Sequence, residues 1–295
     1  MPNEYDEFGL LEENANEAGL PWTGPPVVSR RSVAVDGERE LSGLLWGTES
    51  PEIVFLHGGG QNAHTWDTVA LALGRPLLAL DLAGHGHSDW RSDHVYSPPK
   101  LAEDAAHAIE QLAPDARLLV GMSMGGLTSI CLAAQWPNLV AKLAVVDVTP
   151  GTNNDKARSI IEFISGPEVF DSFDAILERT VKYNPSRSVS SLRRGILHNA
   201  APNADGTWSW RYDPVRRFSE ADASFDALWQ RVSEIRCPIL LALGSKSPVV
   251  GPEDVAEFKR RQPGVDIQSF DGAGHSIQGD RPVELARALE TYLVG

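Results

Sequence analysis

A serine flanked by glycine two residues away on either side stands at the end of an apolar run, Leu118-Leu119-Val120-Gly121-Met122-Ser123-Met124-Gly125-Gly126. The apolar half reads as a buried strand and residues 124–135 as a helix, which places Ser123 in a sharp strand-to-helix turn. Such a turn leaves no room for a Cβ two residues before or after the serine, so Gly121 and Gly125 are the residue types it needs. The hydroxyl then stands at the carboxyl edge of a sheet. Beneath it lie the free amides and the positive dipole end of the helix, which favour an oxyanion forming nearby. The chemistry indicated is nucleophilic attack by a serine on a carbonyl carbon, with the Met124 amide as one oxyanion donor. A glycine-rich turn holding an ordinary serine would carry the same five residues, so the surrounding elements have to decide.

Those elements fit a layered sheet. The apolar run 53–56 ends in His57-Gly58-Gly59-Gly60, a loop whose amides no side chain shields and which can donate a second hydrogen bond to an oxyanion. A second buried run, 77–80, opens into Asp81-Leu82-Ala83-Gly84-His85-Gly86-His87-Ser88-Asp89, and the alternating run 265–270 leads to Gly272-Ala273-Gly274-His275. Strands are expected at 32–35, 41–46, 53–56, 77–80, 117–121, 142–147, 238–243 and 265–270, and helices at 64–73, 99–112, 124–135, 252–262 and 281–293. Their alternation implies a parallel sheet covered by helices on both faces. Between residues 150 and 233 the alternation stops, giving helical patterns at 155–164, 172–183 and 188–198 and then Trp208-Ser209-Trp210-Arg211-Tyr212. Residues 1–25 are acidic, carry Pro21 and Pro25, and are expected to form a loosely packed N-terminal extension.

Taken in order, these four motifs resemble the α/β-hydrolase superfamily, and within it the bacterial serine hydrolases that include esterases, lactonases, C–C bond hydrolases and cofactor-free haloperoxidases. The resemblance implies a mostly parallel, eight-stranded sheet flanked by helices, with a helical cap inserted after the sixth strand. The N-terminal extension would then be 1–25, the core 26–149 with 234–295, and the cap 150–233. It also implies that His275 is the base that activates Ser123, because imidazole titrates near neutrality and the family carries its catalytic histidine after the last strand. After the seventh strand the family has Gly-x-x-Asp, whereas this chain has Gly244-Ser245-Lys246-Ser247. Serine cannot stabilise an imidazolium by charge. Asp147, closing the sixth strand, stands where haloalkane dehalogenases and some lipases of the superfamily keep their acid, and the order Ser123, Asp147, His275 is preserved. On that reading Ser247→Asp should be tolerated. A Ser247–His275 dyad helped by water, and a protein without activity, stay open.

The second oxyanion donor is expected to be the amide of Gly59, with Gly60 next. Trp208, Trp210 and Tyr212 are the candidates for walling a substrate cavity; knitting the cap to the core is their other possible use. The implied reaction is hydrolysis of a small or medium, largely apolar ester or lactone through an acyl-enzyme on Ser123, with no cofactor. A C–C bond hydrolase or lyase using the same residues, or a non-catalytic binding homologue, remains open. Aspartate in place of Ser123 would have meant dehalogenase or epoxide hydrolase chemistry.

A net charge of −14 over 295 residues argues against nucleic acid or an anionic membrane as partner, leaving a small-molecule substrate. The oligomeric state is not readable. No apolar run is long enough to span a bilayer and the first residues are acidic, so a cytoplasmic protein is expected. Cys131 and Cys237 read as small buried hydrophobes. Among the histidines, His57 is expected to be a structural hydrogen-bonder below the site, and His85 and His87 to lie on a solvated loop. His64, His94, His107 and His198 carry no motif, and none falls in a metal-ligand spacing.

Overall fold

The computed structural model describes residues 5–153, 155–185, 187–215 and 224–295. Its strands are β1 (Val28–Ala34), β2 (Glu40–Trp46), β3 (Ile53–Leu56), β4 (Leu77–Leu80), β5 (Leu118–Met122), β6 (Leu143–Val146), β7 (Val169–Phe170), β8 (Ala200–Pro202), β9 (Trp208–Trp210), β10 (Ile239–Gly244) and β11 (Asp266–Phe270). Eight of them form one sheet in the order β1-β2-β4-β3-β5-β6-β10-β11. Only β2 runs against its neighbours β1 and β4; every other pair is parallel. The four-residue apolar strands feed both faces at once, because successive side chains point to opposite sides. Ile53 and Phe55 pack with Leu77, Ala79 and Val120 on one face, while Val54 and Leu56 pack with Leu78, Leu80 and Leu119 on the other. Both faces are covered by helices. The helix Met124–Gln135 is apolar nearly all round and is buried on most sides, as a helix wedged against the sheet below other helices must be.

Three elements differ from the expectations above. Residues 1–25 are not loosely packed where they are described: Leu11–Glu17 is a helix with Leu11 and Ala15 fully buried, Leu11 against the sheet face that holds Phe55. Burying Leu11 alone contributes about 1.5–3 kcal/mol, enough to hold a short acidic helix down. The same segment reaches two parts of the molecule. Arg30, held against Asp81 at 2.7 Å, also takes Glu7 through its Nε at 2.7 Å. On the other side Arg194, in the helix Val189–Asn199, donates to Asn14 at 2.7 Å and pairs with Glu17.

The segment between β6 and β10 is not purely helical. Alongside the helices Arg158–Ile164, Phe173–Tyr183 and Val189–Asn199 it carries a three-stranded antiparallel sheet in the order β7-β9-β8. Strands of two or three residues are too short for an alternating pattern to register. Parts of the 150–233 range, notably 216–223, lie outside the described residues. Finally, β1 begins four residues earlier than expected because Arg30 and Arg31 sit on an edge strand, where charge is tolerated. Both cysteines are free; Cys131 is buried and Cys237 partly so.

Candidate active site

The carboxyl ends of β3, β5, β6, β10 and β11 open on one edge of the sheet and carry, in turn, the Gly58–Gly60 loop, Ser123, Asp147, Ser247 and His275. Ser123 has φ 53° and ψ −119°, and Asp147 has φ 52°. For residues with a Cβ this is strained backbone, costing on the order of 1–3 kcal/mol each, and it persists only where neighbours enforce it. The enforcement is visible. The Ser123 amide donates to Val146 O at 3.2 Å, Gly125 N–H to His57 O at 3.0 Å, and Asp147 N–H to Ala242 O at 2.8 Å. A Cβ on Gly121 would lie 2.2 Å from Gly125 O, and one on Gly125 would lie 2.4 Å from Leu56 O. Backbone against backbone cannot give way, so both positions must be glycine.

Asp147 is buried, and its carboxylate accepts three hydrogen bonds: from Gly244 N–H at 2.9 Å, from the Ser247 hydroxyl at 2.5 Å and from His275 Nδ1 at 2.8 Å. A carboxylate can only accept, so Nδ1 is the protonated nitrogen of His275 and Nε2 carries the lone pair. That Nε2 is buried and has no hydrogen-bond partner among the described residues. Ser247 therefore does not stand in for the acid. It donates to Asp147 and, with Gly244, fixes the face that the carboxylate turns to His275. This also reverses the expectation for Ser247→Asp, because a second carboxylate would sit against the first.

Ser123 and His275 line one cavity of ≈ 130 Å³, together with Gly58, Gly59, Gly60, Ile160, Phe163, Ile164 and Tyr183. Ile160, Phe163 and Ile164 recur at helical spacing on Arg158–Ile164 and turn one face of that short helix to the cavity. The three glycine amides of the loop are not equivalent. Gly58 N–H donates to Gln61 Oε1 at 3.2 Å and Gly60 N–H to His85 Nε2 at 3.1 Å. Gly59 N–H has no acceptor among the described residues, and neither does Met124 N–H. Gly60, the second choice from sequence, is thus committed elsewhere.

What holds Gly60 is a clamp that sequence reading missed. His85 is fully buried, not solvated, and offers Nε2 to the Gly60 amide. Asn199, from the helix Val189–Asn199, donates its side-chain amide to Gly60 O at 2.6 Å. His57 lies beneath, fully buried, accepting from Leu82 N–H through Nε2 at 2.9 Å. Burial lowers its pKa against the pull of Asp81, so it stays a neutral structural acceptor. Asn199→Ala is expected to lower kcat by about threefold to tenfold with little change in KM, since one hydrogen bond orienting the loop is worth about 0.5–1.5 kcal/mol. Steady-state kinetics on one ester would check this; an unchanged kcat would mean that His85 alone positions the loop.

Of the three aromatics expected to wall a cavity, Trp210 lines a cavity of ≈ 630 Å³ that shares Gly60, Gln61, Phe163, Asn184 and Ser276 with the one at Ser123, whereas Trp208 and Tyr212 line neither. Trp208 packs edge-on against Phe173 at 5.2 Å between ring centroids. Trp210 meets Phe163 and Phe170 and stacks on Tyr212 at 5.6 Å, and Tyr212 approaches the Gly60 loop from behind His85. None of the three lines the Ser123 cavity. Their ring contacts also join the β7-β9-β8 sheet to its helices and to the Gly60 loop.

A mostly parallel sheet that presents a strained serine, a buried aspartate–histidine pair and a glycine loop along one edge defines an α/β-hydrolase fold and site. Comparison with known proteins agrees: the alpha/beta hydrolase family matches residues 53–288, and the chain belongs to that family and is a hydrolase. It is 45% identical over 297 residues to esterase Rv0045c of Mycobacterium tuberculosis, covering 96% of this chain and 95% of that one. A crystal structure of that esterase superposes with a TM-score of 0.88 at 42% identity, over 100% of both chains. Another structure of it, described together with transition metal inhibition of that enzyme, gives 0.86 over 98% and 99%. The sn-1-specific diacylglycerol lipase ABHD11 of Mus musculus is 29% identical over 253 residues, 82% of this chain and 81% of that protein.

Proposed function

We propose that this protein is a serine esterase that moves a short acyl group from an ester to Ser123 and then to water. The observation that carries this reading is the His275 ring. Its Nδ1 is fixed on Asp147 at 2.8 Å, while its unpartnered Nε2 lines the same cavity as Ser123. On this reading Nε2 takes the Ser123 Oγ proton as Oγ forms its bond to the carbonyl carbon. The charge that develops on the carbonyl oxygen is met by Gly59 N–H and Met124 N–H, the two amides left free by the clamp. Asp147 stabilises the imidazolium. The proton passes to the departing alcohol oxygen as its bond to the acyl carbon breaks, and water repeats the sequence with His275 as base. The names of the relatives, an esterase and a diacylglycerol lipase, support the same bond type.

Residues 150–233 act in this reading as a lid, with Ile160, Phe163 and Ile164 closing the acyl pocket. The cavity at Ser123, ≈ 130 Å³ and lined by Ile160, Phe163 and Ile164, favours a short, apolar acyl group, while the neighbouring cavity of ≈ 630 Å³, which shares Gly60, Gln61, Phe163, Asn184 and Ser276 with it, has room for the rest of the substrate. The substrate is a small ester and no cofactor takes part. Among the described residues no helix is long and apolar enough to cross a membrane.

Two measurements test the proposal. A fluorophosphonate should label Ser123, as mass spectrometry of the digested protein would show; absence of labelling would point to a binding homologue. On a series of nitrophenyl esters, kcat/KM should peak between acetyl and butyryl and fall at least about tenfold by octanoyl, since a methylene that does not fit costs about 1–3 kcal/mol. Ile164→Ala should move the peak to longer chains. A flat series, or turnover of vinylogous diketones above all esters, would defeat the short-acyl reading.

A further inference from the structure

Away from the Ser123 cavity, His64, Asp67 and His198 bring one ligand atom each to within 4.8 Å of one another, all three side chains being buried. His64, in a 3₁₀ turn, and Asp67, three residues on at the start of the helix Asp67–Leu73, are met by His198 from the distant helix Val189–Asn199. Two of their polar atoms, Asp67 Oδ1 and His198 Nε2, are buried with no hydrogen-bond partner among the described residues. A buried polar atom without a partner costs about 1–3 kcal/mol, and two facing one point call for an explanation.

The opposite ring nitrogens are already engaged. His64 Nε2 lies 3.1 Å from Glu7 Oε1, and His198 Nδ1 lies 2.6 Å from the Tyr5 hydroxyl. This is the outer shell of a metal-ligating histidine, in which the far nitrogen is held by a carboxylate or another oxygen so that the near one presents its lone pair. His64 Nδ1 lies 2.9 Å from Asp67 Oδ2, where a proton shared by the two occupies the place an ion would take.

We propose that His64 Nδ1, His198 Nε2 and the Asp67 carboxylate form a binding site for one divalent transition metal ion of the zinc class, with Glu7 and Tyr5 as its outer shell. Two imidazoles and a carboxylate are the donor set that zinc, cobalt, nickel and copper take, and magnesium and calcium do not. A fourth position is left for water. The two rings are stacked at 3.7 Å and only 10° from parallel, and an ion bound in the plane of one cannot lie in the plane of the other. Binding therefore tilts one imidazole. His198 is the ring that moves: its Nε2 is unpartnered, whereas His64 is held at both nitrogens. The site also lies one residue from Asn199, which holds Gly60.

The test uses untagged, chelator-treated full-length protein. Titration calorimetry with zinc chloride should show one ion per chain, and cobalt should give a visible d–d band; magnesium should give neither heat nor displacement of cobalt. His198→Gln and Asp67→Asn should each weaken zinc at least about tenfold, and Glu7→Gln about tenfold from the outer shell. His275→Gln should bind zinc as the unaltered chain does, which separates this site from an ion caught in the Ser123 cavity. Circular dichroism identifies any variant that fails to fold; Tyr5→Phe, which keeps all three inner ligands, then serves in its place and should weaken binding. Stoichiometric binding that survives in both His198→Gln and Asp67→Asn, loss of binding in His275→Gln alone, or no binding at millimolar zinc would overturn the proposal.

Discussion

Ser123→Ala is expected to lower kcat by up to about 10⁶-fold while leaving the protein folded. On the mechanism proposed above, Ser123 Oγ forms the acyl bond, His275 Nε2 acts as base and the glycine amides only donate, so removing Oγ removes the nucleophile. The fold should survive because alanine asks nothing new of the turn. The Cβ is already accommodated at φ 53°, and the hydrogen bonds that hold the turn come from the backbone of Ser123, Gly125 and Leu127. Some acceleration over water should persist, since oxyanion donors and binding alone retain about 10³–10⁴-fold in related serine enzymes. The measurement is kcat on an acetyl or butyryl ester beside a thermal melt. Activity within about tenfold of the unaltered enzyme, at an unchanged melting temperature, would sink the serine mechanism.

The parts of this molecule legible in the sequence are those where the physics is local. The run from Leu118 to Gly126 specifies strand, turn and helix within nine neighbouring residues, and the two glycines are required by backbone contacts only 2.2 and 2.4 Å from where a Cβ would stand. The same holds for β3 to β6, whose apolar runs are buried on both faces and could be nothing else in an alternating chain. Asp147 was readable because it ends such a run, and its contact with His275 accords with the expected order. What sequence hid was made by distant partners. Ser247 gains its meaning only from the 2.5 Å contact to a residue 100 positions away. The clamp on Gly60 joins residues 60, 85 and 199, and the close pair His64 and Asp67 gains its third member, His198, only from a helix more than 130 residues away; no spacing rule spans such separations. The packing partners of Trp208 and Trp210 were hidden for a related reason: both lie on a three-residue strand whose sheet leaves no signal of its own in the sequence.

Asp147→Asn is expected to cost on the order of 10⁴-fold in kcat, and the three hydrogen bonds to the carboxylate show why. Asparagine has one oxygen acceptor and one amide donor where aspartate has two acceptors. If its oxygen stays on Gly244 N–H, the amide nitrogen replaces Oδ2 and faces both the Ser247 hydroxyl and His275 Nδ1. Nδ1 must then accept, which moves the imidazole proton to Nε2, the nitrogen that has to take the proton of Ser123. The charge that stabilises the imidazolium is lost as well. Ser247→Asp alone should also impair activity at neutral pH, because its carboxylate would meet that of Asp147 and like charges at such range force one of the two to hold a proton. In the double variant Asp147→Asn with Ser247→Asp, the new carboxylate is free to accept from His275 Nδ1, and kcat should recover at least about tenfold over Asp147→Asn. Each arm is read from kcat against pH on a single ester. Near-full activity in Asp147→Asn, or a double variant no better than the single one, would mean that the histidine is oriented by another group.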